Sequence, residues 1–222
     1  MVKPATKKDF QTVIDMCTNH DGWNEVLKND KLTEWMKDGG SDSLVLKMYS
    51  TDFQGIEPEW VFDTLLDPEY RNSWDDKNMG RKTLEVINDS NFILHYQVKV
   101  PVVSNRDYVF RQSTAKFGDD YILYNSNVEH ASCPPNSKFV RGTMNLSAYY
   151  IQKIEGGCAV TIISDNNLGG SLPQFLVNSQ AKNILPKQLE AIKKSSATYN
   201  NWKKSHNPES KPWRNLVEPV DE

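Results

Sequence analysis

Between residues 82 and 165 this chain returns again and again to a period of two, and over residues 172–203 it changes to a helical period. Leu94, Tyr96, Val98 and Val100 alternate with His95, Gln97 and Lys99, which is the pattern of a half-buried strand. Strands are predicted near 82–88, 107–116, 120–129, 139–154 and 158–165, with turns at Gly118-Asp119-Asp120 and Gly156-Gly157. Gly169-Gly170-Ser171-Leu172-Pro173 then releases the chain into a helix that Pro186 should bend. Antiparallel strands at meander spacing followed by one long amphipathic helix have an economical solution. The sheet curves and the helix covers the apolar concavity.

The N-terminal part fits the same plan. Phe10, Val13, Ile14 and Cys17 recur at helical spacing within 7–20, and strands are expected at 23–29, 32–37 and 43–53. Glu57-Pro58-Glu59 opens a helix that stops before Asp67-Pro68, because a residue ahead of proline is pushed out of the α region. Asp67 then caps a second short helix begun by Pro68. On it Arg71 lies one turn from Trp74 and Asp75, so a guanidinium, an indole and a carboxylate share a face. A solvated pair with Asp75 is the ordinary reading of such a spacing; a grip on an anionic head group is the functional one.

Composition excludes several classes. No run of about 18 apolar residues is present to span a bilayer as a helix, and the first residues lead into no secretory signal. Cys17, Cys133 and Cys158 have no paired spacing and read as free thiols of a reducing, cytoplasmic protein. A net charge of −3 argues against nucleic-acid binding. Within 182–204, however, six lysines face a single acid, Glu190. Such a stretch is either a solvated helix face or a patch for anionic membranes, where each basic residue contributes about 1 kcal/mol. No nucleophile elbow, zinc helix, phosphate-cradling glycine loop or paired-cysteine site appears, so no enzyme, metal or cofactor is expected. His95 reads as an outward, surface residue, and Cys133 near His130 is weak ground for a nucleophile. Arg106 and Asp107 are expected to brace the sheet through buried or rim partners.

Several separated stretches together resemble one family. They are Tyr70-Arg71-Asn72-Ser73-Trp74-Asp75, Val98 to Pro101 with Ser104 to Tyr108, Gly169 to Pro173, and His206 to Trp213. In matching order they are similar to the START (StAR-related lipid transfer) family, in its branch of phosphatidylcholine and phosphatidylethanolamine carriers. The resemblance spans residues 8–214 as one domain, leaving 1–7 and 215–222 as flexible ends. It implies an α+β helix-grip fold, a curved antiparallel β-sheet enclosing a hydrophobic tunnel closed by the long C-terminal helix. It implies one phospholipid held as cargo and moved between membranes. Arg71 would contact the phosphate, with Tyr96 and Tyr108 around the ammonium. Leu65 and Asn145 fall where choline carriers have aromatic rings, which brings phosphatidylethanolamine in beside phosphatidylcholine. Docking and gating would fall to Pro101, Val102, Val103, Phe175 and Leu176, with Lys187, Lys193 and Lys194 holding a monomeric, peripheral protein at the surface. Alternatives from other classes are a lipid-sensing interaction module, a lipid or thioester hydrolase, and a sterol binder.

Overall fold

A computed structural model describes residues 2–39, 44–100, 103–170 and 174–221, and their side chains except at 44 and 174–184. The chain opens with helix α1 (Lys7–Thr18), strands β1 (Asn24–Lys28), β2 (Leu32–Asp38) and β3 (Leu44–Gln54), and helices α2 (Pro58–Leu66) and α3 (Pro68–Trp74). Strands β4 (Asn78–Asn88), β5 (Asn91–Val98), β6 (Arg106–Phe117), β7 (Asp120–Asn127), β8 (Val140–Arg141), β9 (Thr143–Ile154) and β10 (Gly157–Asn167) come next, then α4 (Gln174–Lys203). The sheet order is β1-β2-β3-β10-β9-β7-β6-β5-β4, antiparallel throughout, with two-residue β8 lying parallel beside β6. The curved sheet and its C-terminal helix form the expected helix-grip arrangement.

Alternation gives the sheet two different faces. Phe53, Leu123, Ile151, Val160 and Ile162 point inward and pack with Phe62 and Leu65 of α2 and Leu185, Leu189 and Ile192 of α4. Each such fully buried side chain stabilises the grip by about 1.5–3 kcal/mol. On the outer face, Ile122, Tyr124, Ala148 and Ile163 are covered by Phe10, Val13 and Cys17 of α1. Thr6 and Asp9 close a reciprocal capping box at the start of that helix. Tyr108, Phe110, Leu94 and Met144 form a third cluster at the β5–β6 end.

Near both chain ends the described residues make tertiary contacts. Ala5 is buried and its N–H donates to Asn91 Oδ1 at 3.0 Å. Thr6 pairs in parallel with Val220, and Val217 N–H donates to Ser90 Oγ at 2.7 Å. Backbone groups with partners this far off in sequence are satisfied only by tertiary packing, so no local pattern announces them. The strand expected at 82–88 also begins earlier, at Asn78, and carries three register irregularities that interrupt its alternation.

Candidate functional site

Asp67 fixes the helix that carries the central arginine. Its carboxylate accepts from the Glu69 and Tyr70 backbone N–H groups, both at 3.1 Å, and so caps α3. One turn on, Arg71 is half-buried and Nε donates to Asp75 Oδ2 at 2.8 Å. Its guanidinium lies 4.9 Å from the centre of the Trp74 ring, and Nη1 donates to the Leu65 carbonyl at 3.4 Å. The Tyr96 hydroxyl donates to the same Asp75 oxygen at 3.1 Å. Directly opposite Tyr96 in the β5–β6 register is Tyr108, whose ring fills the space beside Gly142; a β-carbon there would collide with it.

Thus Leu65, Arg71, Tyr96 and Tyr108 converge on one inner region, three of them through named contacts. Asn145 does not join them. A bulge between β9 and β10 aligns Asp165 with Leu146 and Asn166 with Met144, so Asn145 is the extra residue and the alternation changes phase there. Asn145 is exposed and donates to Asp165 Oδ1 at 3.1 Å.

Two residues of the region, Arg81 and Tyr149, were not singled out from the sequence. Arg81 faces Tyr96 across β4–β5, and its Nη2 donates to the buried Gln112, which in turn donates to Asn125 at 3.2 Å. Tyr149 on β9 is buried, and its hydroxyl accepts from Gln188 of α4. The signals were the alternation of β4 and β9, masked by irregular register. A cavity of about 440 Å³ lies against these cations, lined by Pro68, Arg71, Asn72, Asn78, Met79, Gly80 and Arg81.

The electrostatics arise from burial. For Arg71 burial works against the charged form, but Tyr96, Tyr149 and Asp75 outweigh it and hold the guanidinium charged. Arg81 is pushed down to about 10 by burial and by its neighbour Arg71. Burial raises Tyr96 and Tyr149, chiefly by desolvation, so both remain neutral hydrogen-bond donors. The Trp74 indole N–H is buried and meets no acceptor among the described residues. The region therefore offers two guanidiniums, an unused indole donor and a tyrosine hydroxyl against one carboxylate. That is the donor set of an anion site.

Elsewhere the expectations meet different outcomes. Pro101 and Val102, and the side chains of Phe175 and Leu176, lie outside the described residues; Val103 is half-buried. Lys187 and Lys194 are exposed, but Lys193 binds Asp52 at 2.7 Å and Glu190 at 3.1 Å, and Lys203 is buried against Asp67 at 3.1 Å. The cationic stretch is thus partly spent on internal pairs. Arg106 braces the exit from the sheet through the Leu168 carbonyl at 3.1 Å and the Gly169 carbonyl at 3.3 Å. His95 is not a surface residue: it is half-buried and contacts Asp107 at 2.9 Å, because the outer face is closed there by Arg141. His95, Asp107 and Cys133 stand close enough to share an ion, yet the Arg141 guanidinium donates two bonds to Asp107 and fills the cationic role among them.

A sheet that grips a long terminal helix, with a guanidinium cluster held at one end, defines a ligand-holding helix-grip domain. The chain belongs to the START domain family, whose model matches residues 5–205. It is 27% identical over 215 residues to START domain-containing protein 10 of Mus musculus, covering 96% of this chain and 74% of that one. The phosphatidylcholine transfer protein of Mus musculus is 26% identical over 152 residues, covering 66% of this chain and 70% of the relative. The crystal structure of human STARD10 superposes with a TM-score of 0.88 at 26% identity, over 99% of this chain and 92% of that chain. Human StAR-related lipid transfer protein 5 shares the fold, with a TM-score of 0.77 at 17% identity over 86% of this chain and 93% of its own.

Proposed function

We propose that the chain binds one phospholipid and transfers it between membranes, without chemical change to the lipid. The observation that carries this reading is Arg71, held charged by Asp75 beside a 440 Å³ cavity in a fold of lipid-transfer relatives. The phosphate takes Arg71, and Tyr149 and the Trp74 indole supply neutral donors. Tyr96 and Tyr108 present aromatic faces at about 0.5–2 kcal/mol per cation contact to the ammonium of phosphatidylcholine or phosphatidylethanolamine. The acyl chains lie against the apolar inner face, between the sheet and α2 and α4. Burying roughly 30 methylenes stabilises the complex by about 24 kcal/mol relative to water, so release into water is negligible. A bilayer offers nearly the same burial, so exchange belongs at a membrane surface, where Lys187 and Lys194 attract anionic lipid. No helix among the described residues is long and apolar enough to cross a membrane.

The test removes charge without leaving a lone ion behind. Arg71→Gln combined with Asp75→Asn deletes both partners of the pair, which costs little stability when shape is retained. The double variant should unfold near the wild-type midpoint yet extract less than about a tenth as much phosphatidylcholine from vesicles, since hydrogen bonds to charged groups contribute about 1.5–3 kcal/mol. Undiminished extraction by a folded double variant refutes the assignment.

A further inference from the structure

Arg71 and Asp75 neutralise each other, and a neutral pair complements a zwitterionic head group. Arg81 breaks that balance. Among the described residues it meets no carboxylate; its one partner is the uncharged Gln112. It shares a cavity wall with Arg71, and that wall contains no carboxylate and no aromatic ring. Along this wall an ammonium finds neither a counter-charge nor a π-face, since the rings of Tyr96 and Tyr108 are not part of it. A half-buried cation without a counter-ion is partly desolvated at a cost, and an anion entering the cavity offsets that cost. The remaining polar groups of the wall are amides. Asn78 Nδ2 donates to Asn72 Oδ1 at 2.8 Å, and Asn78 Oδ1 accepts from Gly80 N–H at 3.1 Å. These leave the Asn72 NH₂ as a donor toward hydroxyl groups.

We infer that Arg81 is a specificity-determining residue that makes the cavity select phospholipids whose head group carries net negative charge, such as phosphatidylglycerol, over zwitterionic ones. The inference rests on the carrier reading above and adds the charge class of the cargo. With a phosphodiester shared by both guanidiniums, the two cations, Asp75 and the phosphate sum to zero; a zwitterionic lipid leaves one positive charge over.

The experiment is a competition within single vesicles, so that docking is common to both lipids. Wild type, Arg81→Gln and Arg81→Lys are incubated with vesicles of equal phosphatidylcholine and phosphatidylglycerol, re-isolated, and their bound lipid is weighed by native mass spectrometry. Wild type should carry phosphatidylglycerol in excess by about tenfold, the scale of one charge-assisted contact. Arg81→Gln should take up less phosphatidylglycerol and so return the ratio to that of the vesicle, and Arg81→Lys should keep most of the preference. An unchanged ratio in Arg81→Gln, or phosphatidylcholine in excess on wild type, overturns the inference while leaving the carrier reading in place. A wild type that loads neither lipid overturns both. Excess inorganic phosphate during loading supplies the last arm. If the ratio holds, the head group of a lipid is what the site takes; if it collapses as in Arg81→Gln, the site serves phosphate in general and selection among lipids falls.

Discussion

Two buried ionic clusters of this molecule use the same side-chain types to opposite ends. At the C-terminal latch, Asp63 accepts from Lys211 at 3.0 Å, from Trp213 Nε1 at 2.8 Å and from Arg214 Nε at 2.8 Å. Asp67 accepts from Tyr199 and Lys203, both at 3.1 Å, besides capping α3. Arg214 also reaches Glu59 at 3.5 Å, so the three cations Lys203, Lys211 and Arg214 answer the three acids Glu59, Asp63 and Asp67. Around Arg71 two guanidiniums answer one carboxylate, and an indole N–H has no acceptor among the described residues. The contrast separates scaffold from site. Charges that are fully paired fix the tail and the far end of α4 against α2 and α3. Charges left in excess are available to a ligand, at a cost in stability that the ligand can offset.

The comparison breaks most visibly at Asp63. Asp63→Ala strands Lys211 and Arg214 beside an apolar core, and losing one partner of a buried pair costs about 3–5 kcal/mol. Its urea midpoint should fall accordingly; a loss below about 1 kcal/mol would show that the latch is a solvated decoration. Arg81 should respond with the other sign. In lipid-free protein Arg81→Gln removes an uncompensated cation from beside Arg71, so the unfolding midpoint should rise, by an amount on the order of 1 kcal/mol. A fall comparable to that of Asp63→Ala would place Arg81 in the scaffold class. The last effect concerns the surface and is read in transfer rate, not in stability. Lys187→Glu with Lys194→Glu should slow transfer from anionic vesicles by about 1 kcal/mol per residue, with neutral vesicles unaffected. Equal slowing on both kinds of vesicle would remove these lysines from docking.

Local pattern carried the elements well where it was continuous. Asp67-Pro68 marks the break between α2 and α3 because proline constrains its predecessor and aspartate caps the next turn, and both effects act within four residues. The alternation of β5 likewise put Tyr96 on the inner face, where it reaches Asp75. The pattern failed where register slips. Arg81 sits on a strand with three irregularities, so counting in twos misses it, and Asn145, placed in the site by the family resemblance, is the bulged residue of β9 and turns away from it.

Pairing over distance was equally hidden. Lys193 and Lys203 belong to one helical charge run by sequence, yet the first is bound to Asp52 and the second to Asp67. Nothing within a helical turn of either lysine specifies those partners.

The sequence by itself determined the order of helices and strands, the two-faced sheet and the short capped helix bearing Arg71, because periodicity, proline and capping are interactions of near neighbours. Only the tertiary structure decided which cations are balanced and which are not. That outcome depends on where the sheet's register and the packing of α4 bring distant charges together, as with Lys211 and Asp63, 148 residues apart in the chain. Coulomb energy in a dehydrated interior is set by separation in space, which the chain's order does not state.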